Sequence, residues 1–128
     1  MTSNEIAEAL NTLAQGVYDN AASHGWHDQK EDRSDVENYA IWLININGEA
    51  AELWESARLG TLTQPCDKAD KMEAVFGQSL TCEEEELADI IIRALDTAAA
   101  RGLDIGRAVL LKHAYNKTRA HKHGGKLA

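Results

Sequence analysis

The chain has 128 residues, 44% of them hydrophobic and 27% charged, with a formal net charge of −8. That length holds one domain with a core and not two, so residues 1–128 are read as a single unit. The acidic balance argues against a nucleic-acid-binding surface, and no apolar run approaches the about 20 residues that span a bilayer, so no membrane partner is expected.

Pro65 is the single proline, which leaves long helices unbroken, and no alternating Val/Ile/Thr run reads as strand. The fold class is all-α. Cys66 and Cys82 are the only cysteines and lack the spacing of a disulfide framework, which fits reduced thiols in a cytoplasmic protein. The opening MTSNEIAEAL has no basic segment followed by an apolar core, so it is not read as a signal peptide.

A first helix is expected to start near Thr2, where Thr2 and Glu5 have capping-box spacing. Ile6, Leu10, Leu13 and Val17 form its core-facing stripe, and it fades in SHGWHDQKEDRSD, with Gly25 as the stop. Ser34 and Glu37 repeat the capping pattern and open a second helix, expected to run to about Leu59 with Gly60 beyond it. Its apolar residues occupy more than one face, which points to burial by a second subunit. Residues 61–80 read as an irregular crossover with a short helix around 68–75. Thr81 and Glu84 give a third capping pattern, for a helix ending at Gly102. Asp104 then caps a fourth long helix, expected to stop at Gly124 and Gly125. The sum is a four-helix bundle completed by dimerisation.

Two pairs of acids stand out. Glu49 and Glu52, in ININGEAAELWE, are i,i+3 neighbours on one helix face; Glu86 and Asp89, in EEEELADIIIRALD, repeat the spacing ahead of Ile90–Ile92. Ionised acids set in apolar helices are costly unless a positive charge meets them. A cluster of Glu49, Glu52, Glu86 and Asp89 is a site for a hard divalent cation. The bland reading is solvated helix faces, and it suits Glu83, Glu84 and Glu85 as first-turn acids favoured by the helix dipole. None of His24, His27, His113, His121 and His123 lies three residues after a Glu. The di-iron pattern is therefore missing, and oxygen-only ligation favours Mg²⁺ or Mn²⁺.

Cations gather near the other end of the chain. Lys112, Asn116 and Arg119 share a helical face at i, i+4 and i+7, and HKHGGK adds His121, Lys122, His123 and Lys126. Such a group takes up phosphate charge; the alternative is basicity that complements a helix C-terminus. Arg93, four residues after Asp89, either orients that acid or touches phosphate, or makes a plain helix ion pair. Trp42 and Trp54 read as core or interface residues, and Trp26, beside His24 and His27, as a stacking surface for a base.

With these residues in view, GEAAELWE followed by EEELADIIIRALD and KHAYNKTRAHKHGGK resembles the MazG-like all-α nucleoside triphosphate pyrophosphohydrolases. Its nearest likeness is to the short single-domain members found in mobile gene cassettes, across residues 36–126. The resemblance implies a four-helix core assembled as a homodimer or homotetramer, with sites at subunit contacts. It also implies Mg²⁺-dependent hydrolysis of a (d)NTP to the monophosphate and pyrophosphate, as nucleotide-pool sanitising. Glu49, Glu52, Glu86 and Asp89 then match metal ligands and catalytic residues. Lys112, Asn116 and Arg119 match phosphate-side residues, and His24, Trp26 and Asn45 fall at the base pocket. Relatives vary in length across 61–80 and in base preference, so neither is carried over. The competing reading is a non-catalytic helical interaction module with a vestigial carboxylate site.

Overall fold

The computed structural model describes residues 1–28 and 32–119. Its helices are α1 (Ser3–Ser23), α2 (Asp35–Leu59), α3 (Ala69–Phe76), α4 (Cys82–Ala100) and α5 (Ile105–Lys117), with no strand among the described residues. The four long helices of the sequence reading are present, and the short one in the crossover makes a fifth.

Local chemistry sets most of the boundaries. Thr2, Ser34 and Thr81 each accept a backbone N–H three residues on, satisfying one of the unpaired donors of a helix start. Only Thr81 completes the reciprocal box, with Glu84 returning to its backbone. Gly60 ends α2 with φ 72°, a left-handed conformation that glycine adopts without steric cost. α5 is shorter than the sequence reading: it stops at Lys117, not near Gly124. There the Thr118 hydroxyl donates to the Tyr115 carbonyl at 2.7 Å, and the Arg119 N–H turns back to Asn116 at 3.2 Å. Local side-chain bonding of this kind competes with further helical turns.

α4 is the central element. α2 and α1 both pack against it, α5 lies along α1, and α3 packs on none of the other helices. The buried residues of α4 are Glu85, Leu95, Thr97 and Ala98, and the one of α1 is Ala14. No large side chain is completely buried among the described residues. The expected α1 stripe is only partly inward: Leu10 and Val17 are half-buried, while Leu13 is 54% exposed because it opens onto a cleft described below.

Asn11 ties α5 to α1. Its amide nitrogen donates to Asp104 Oδ1 at 2.8 Å, and its oxygen accepts the Gly106 N–H at 2.7 Å. The helices approach so closely that a Cβ on Gly106 would lie 2.1 Å from the Ala7 carbonyl oxygen. The crossover is tied as well. Cys66 N–H donates to Leu80 O at 2.9 Å and Cys82 N–H to Gln64 O at 2.8 Å, flanking an antiparallel bridge from Pro65 to Thr81.

Gly106→Ala is expected to destabilise the chain by roughly 1–3 kcal/mol, since backbone rather than a movable side chain blocks the methyl. Gly16→Ala, whose Cβ meets nothing within 4 Å, is expected to gain up to about 1 kcal/mol from helix propensity. Urea unfolding of the two variants checks the contrast; equal stability would contradict the close α1–α5 approach.

Candidate metal centre and adjoining cleft

The packing of α2 on α4 brings Glu49, Glu52 and Glu86 together, with one carboxylate oxygen from each within 4.8 Å of the others. Asp89, the fourth acid expected there, is not in that set. Its shorter side chain, one turn further along α4, lines the adjoining cleft together with Glu49. Glu49 is 8% exposed. Glu86 Oε2 is buried and has no hydrogen-bond partner among the described residues.

Three acids this close cannot all ionise unaided. Burial, then the neighbouring Glu52 and Glu49, push the Glu86 carboxyl up to about 7. Burial pushes Glu49 up too, but hydrogen bonds with Arg93, Glu52 and Glu86, and the Arg93 charge, outweigh it and hold Glu49 below the ordinary carboxylate value. Burial and the charges of Glu49 and Glu85 raise Asp89. Arg93 Nε donates to Glu49 Oε1 at 2.6 Å, so Arg93 joins α4 to α2, in place of the within-helix pair with Asp89 considered from the sequence. Glu85 also departs from the solvated first-turn reading: it is 8% exposed and bonded to Lys68 of the crossover. That bond is the main cause holding the Lys68 ammonium above its usual range.

A cleft of about 580 Å³ opens beside the acids, between α1 and α4. Leu13, Val17 and Ile92 give it apolar walls; Glu49, Asp89 and Arg93 mark one end, and His24 and Trp26 lie along it. Asn45 is half-buried on α2 and does not line it. Behind Trp26, the His27 ring is enclosed by Tyr18 and Trp42, with centroids at 4.6 and 5.3 Å, and its Nε2–H donates to Asp96 Oδ1 at 2.7 Å. Trp54, in contrast, is 66% exposed.

The expected cations stand elsewhere within this chain. Lys112 and Asn116 line a separate, shallow groove of about 430 Å³ on α5, and Lys112 Nζ sits 5.0 Å from the Tyr115 ring centroid. Arg119 lies beyond the end of α5, off the helical face it was expected to share. Lys122 and Lys126, with His121 and His123, fall outside the described residues. The cleft is the better candidate because three helices and a turn enclose it and it meets the acids.

Lys68–Glu85, His27–Asp96 and Asn11–Asp104 were not found from the sequence. One signal was available: Glu85, Asp89, Ile92 and Asp96 recur at i, i+4, i+7 and i+11, a single face of α4. Comparison with models of known families, with curated proteins and with solved structures finds no match for this chain.

The raised Glu86 value sets a pH dependence. Folding raises this carboxyl from the ordinary ~4.3 to about 7, so the folded chain binds more protons in that window. Stability therefore falls as pH rises through it and levels off above. In chelator, Glu86→Gln is expected to stabilise the protein at pH 8 by on the order of 1–3 kcal/mol and to have little effect at pH 4. Thermal melts at both values check this, and an equal effect at both would contradict it.

Proposed function

We propose that the protein is a Mg²⁺-dependent nucleoside triphosphate pyrophosphohydrolase, converting a (d)NTP to the monophosphate and pyrophosphate, with Mn²⁺ as a substitute ion. The observation that carries this reading is the buried, unpartnered Glu86 Oε2 inside a three-carboxylate cluster at the end of a cleft. A hard cation suits such a donor set, because it supplies the missing partner and relieves the repulsion that raises Glu86. Glu49, Glu52 and Glu86 would hold it, with Asp89 facing the cleft beside them. When bound, such an ion polarises phosphoryl oxygens and lowers the pKa of a bound water.

The chain's own residues supply the rest. Arg93 neutralises Glu49 and lines the cleft, where its guanidinium suits a phosphate oxygen. Apolar walls beside Trp26 suit a base.

The proposal includes assembly as a homodimer or homotetramer. Leu43, Ile44 and Trp54 of α2 are 43%, 64% and 66% exposed, and Leu87 and Ile91 of α4 are 46% and 55% exposed. Apolar surface on this scale favours association. A second copy is also the source we propose for the phosphate-side Lys112, Asn116 and Arg119. The same surface suits the competing reading, a non-catalytic helical interaction module. Stabilisation by Mg²⁺ separates the two, since a vestigial site gives no cation effect on melting.

The test is an end-point assay on the eight common NTPs and dNTPs, with and without Mg²⁺, resolving pyrophosphate from orthophosphate. Metal-dependent pyrophosphate is expected, and Glu52→Gln or Asp89→Asn is expected to lower kcat/KM by about 100-fold or more with helicity intact. Orthophosphate as the product, or near-normal turnover in either variant, would overturn the mechanism. Sedimentation is expected to give at least twice the 14.0 kDa chain mass.

A further inference from the structure

The cleft has a second charged end. From Asp89, α4 runs seven residues to Asp96, about 10 Å at the helical rise, and Asp96 also lines the cleft. Between the two ends stand Ile92 of α4 and Val17 of α1. Gly16 beside Val17 has no side chain, and a Cβ there would meet nothing within 4 Å, so the α1 wall is recessed. The cleft thus carries Glu49 and Asp89 at one end and the Asp96 carboxylate further along α4.

Asp96 is held in one orientation. Its Oδ1 accepts the His27 Nε2–H at 2.7 Å, and the His27 side chain is 8% exposed between Tyr18 and Trp42. A ring packed between two aromatic side chains does not change rotamer freely. The other oxygen, Oδ2, accepts no hydrogen bond among the described residues, and the side chain is 20% exposed. Glu86 Oε2 is the one buried unpartnered oxygen among those residues, so Asp96 Oδ2 is reached by solvent. A tie between the turn and α4 needs only the first oxygen. The second is an oriented acceptor in a cleft that Leu13, Val17, Ile92 and Trp26 line with apolar surface and Asn20 and His24 with polar groups.

We infer that Asp96, oriented by His27, is the specificity-determining acceptor of the cleft, selecting ligands that present an N–H or O–H donor on their nucleoside portion. The inference rests on the nucleotide reading of the cleft. An ionised carboxylate only accepts hydrogen bonds, so a ligand that turns a carbonyl toward it leaves both groups unpaired. Sites built to bond a donor reject analogues that lack it far more strongly than apolar pockets reject a methylene. Three parts of a nucleotide offer such donors: the exocyclic amino group of adenine, cytosine or guanine, the ring N–H of guanine, thymine or uracil, and the hydroxyls of the sugar. His27 is a positioning residue here, acting through Asp96.

The experiment measures kcat and KM for the eight common nucleotides with Mg²⁺, using the full chain. The variants are Asp96→Asn, His27→Phe and His27→Gln. Wild type is expected to discriminate by about tenfold or more, either among the bases or between ribo and deoxy sugars. The axis of discrimination identifies the donor. Asp96→Asn is expected to reduce that ratio by about tenfold, mainly through KM. His27→Phe keeps the ring but loses the N–H and is expected to lower the same ratio, which His27→Gln restores. If Asp96→Asn does not fold, the His27 pair decides by the same ratio. A wild type that discriminates, with the ratio unchanged in a folded Asp96→Asn, overturns this inference alone. Hydrolysis without discrimination does the same. A wild type that turns over none of the eight overturns the nucleotide reading and this inference with it.

Discussion

Three carboxylates cannot share one partly buried space at neutral pH without a proton or a positive charge among them. In this protein Glu49, Glu52 and Glu86 meet within 4.8 Å where α2 packs on α4, and much of the surrounding structure answers that repulsion. Arg93 crosses from α4 to neutralise Glu49, while Glu86 holds its proton up to about 7. On the residue next to Glu86, Lys68 does for Glu85 what Arg93 does for Glu49, and in doing so anchors the crossover to α4. A fold selected for stability alone has no reason to gather like charges at its central contact. The arrangement fits the proposal of a site that gains stability when a cation enters.

The rest of the chain is thin support for that contact. Among the described residues the buried apolar ones are Ala14, Cys66, Ala69, Leu95 and Ala98, small apart from Leu95, and α5 is attached chiefly through α1. Large apolar side chains, among them Ile44, Trp54 and Ile91, stay outside. Small residues let helices approach closely, but they bury little area, and hydrophobic stabilisation scales with area. This is the physical ground for proposing that a second copy completes the fold.

What the sequence disclosed was local or periodic. The caps at Thr2, Ser34, Thr81 and Asp104 act within three residues, so their spacing is visible in the chain. The i,i+3 acid pairs likewise needed only helical geometry, and an all-α fold followed from the absence of strand patterning. What it withheld was tertiary. Asn11 finds Asp104 across 93 positions and His27 finds Asp96 across 69, and no periodicity encodes either meeting. The fate of Asp89 belongs to the same class, while that of α5 is local. Which oxygens gather depends on side-chain length at a helix crossing, and the Thr118 hydroxyl ends a helix that composition alone would have continued.

The most direct test of the central claim is calorimetric titration of the protein with Mg²⁺ in two buffers of different protonation enthalpy. Together these count the protons displaced as the ion binds. Saturable binding that releases up to one proton, more at pH 6 than at pH 8, is the result expected if the ion takes its place against a carboxyl raised to about 7. Absence of binding, or binding with no proton released at either pH, would contradict the assignment of Glu49, Glu52 and Glu86 as a cation site.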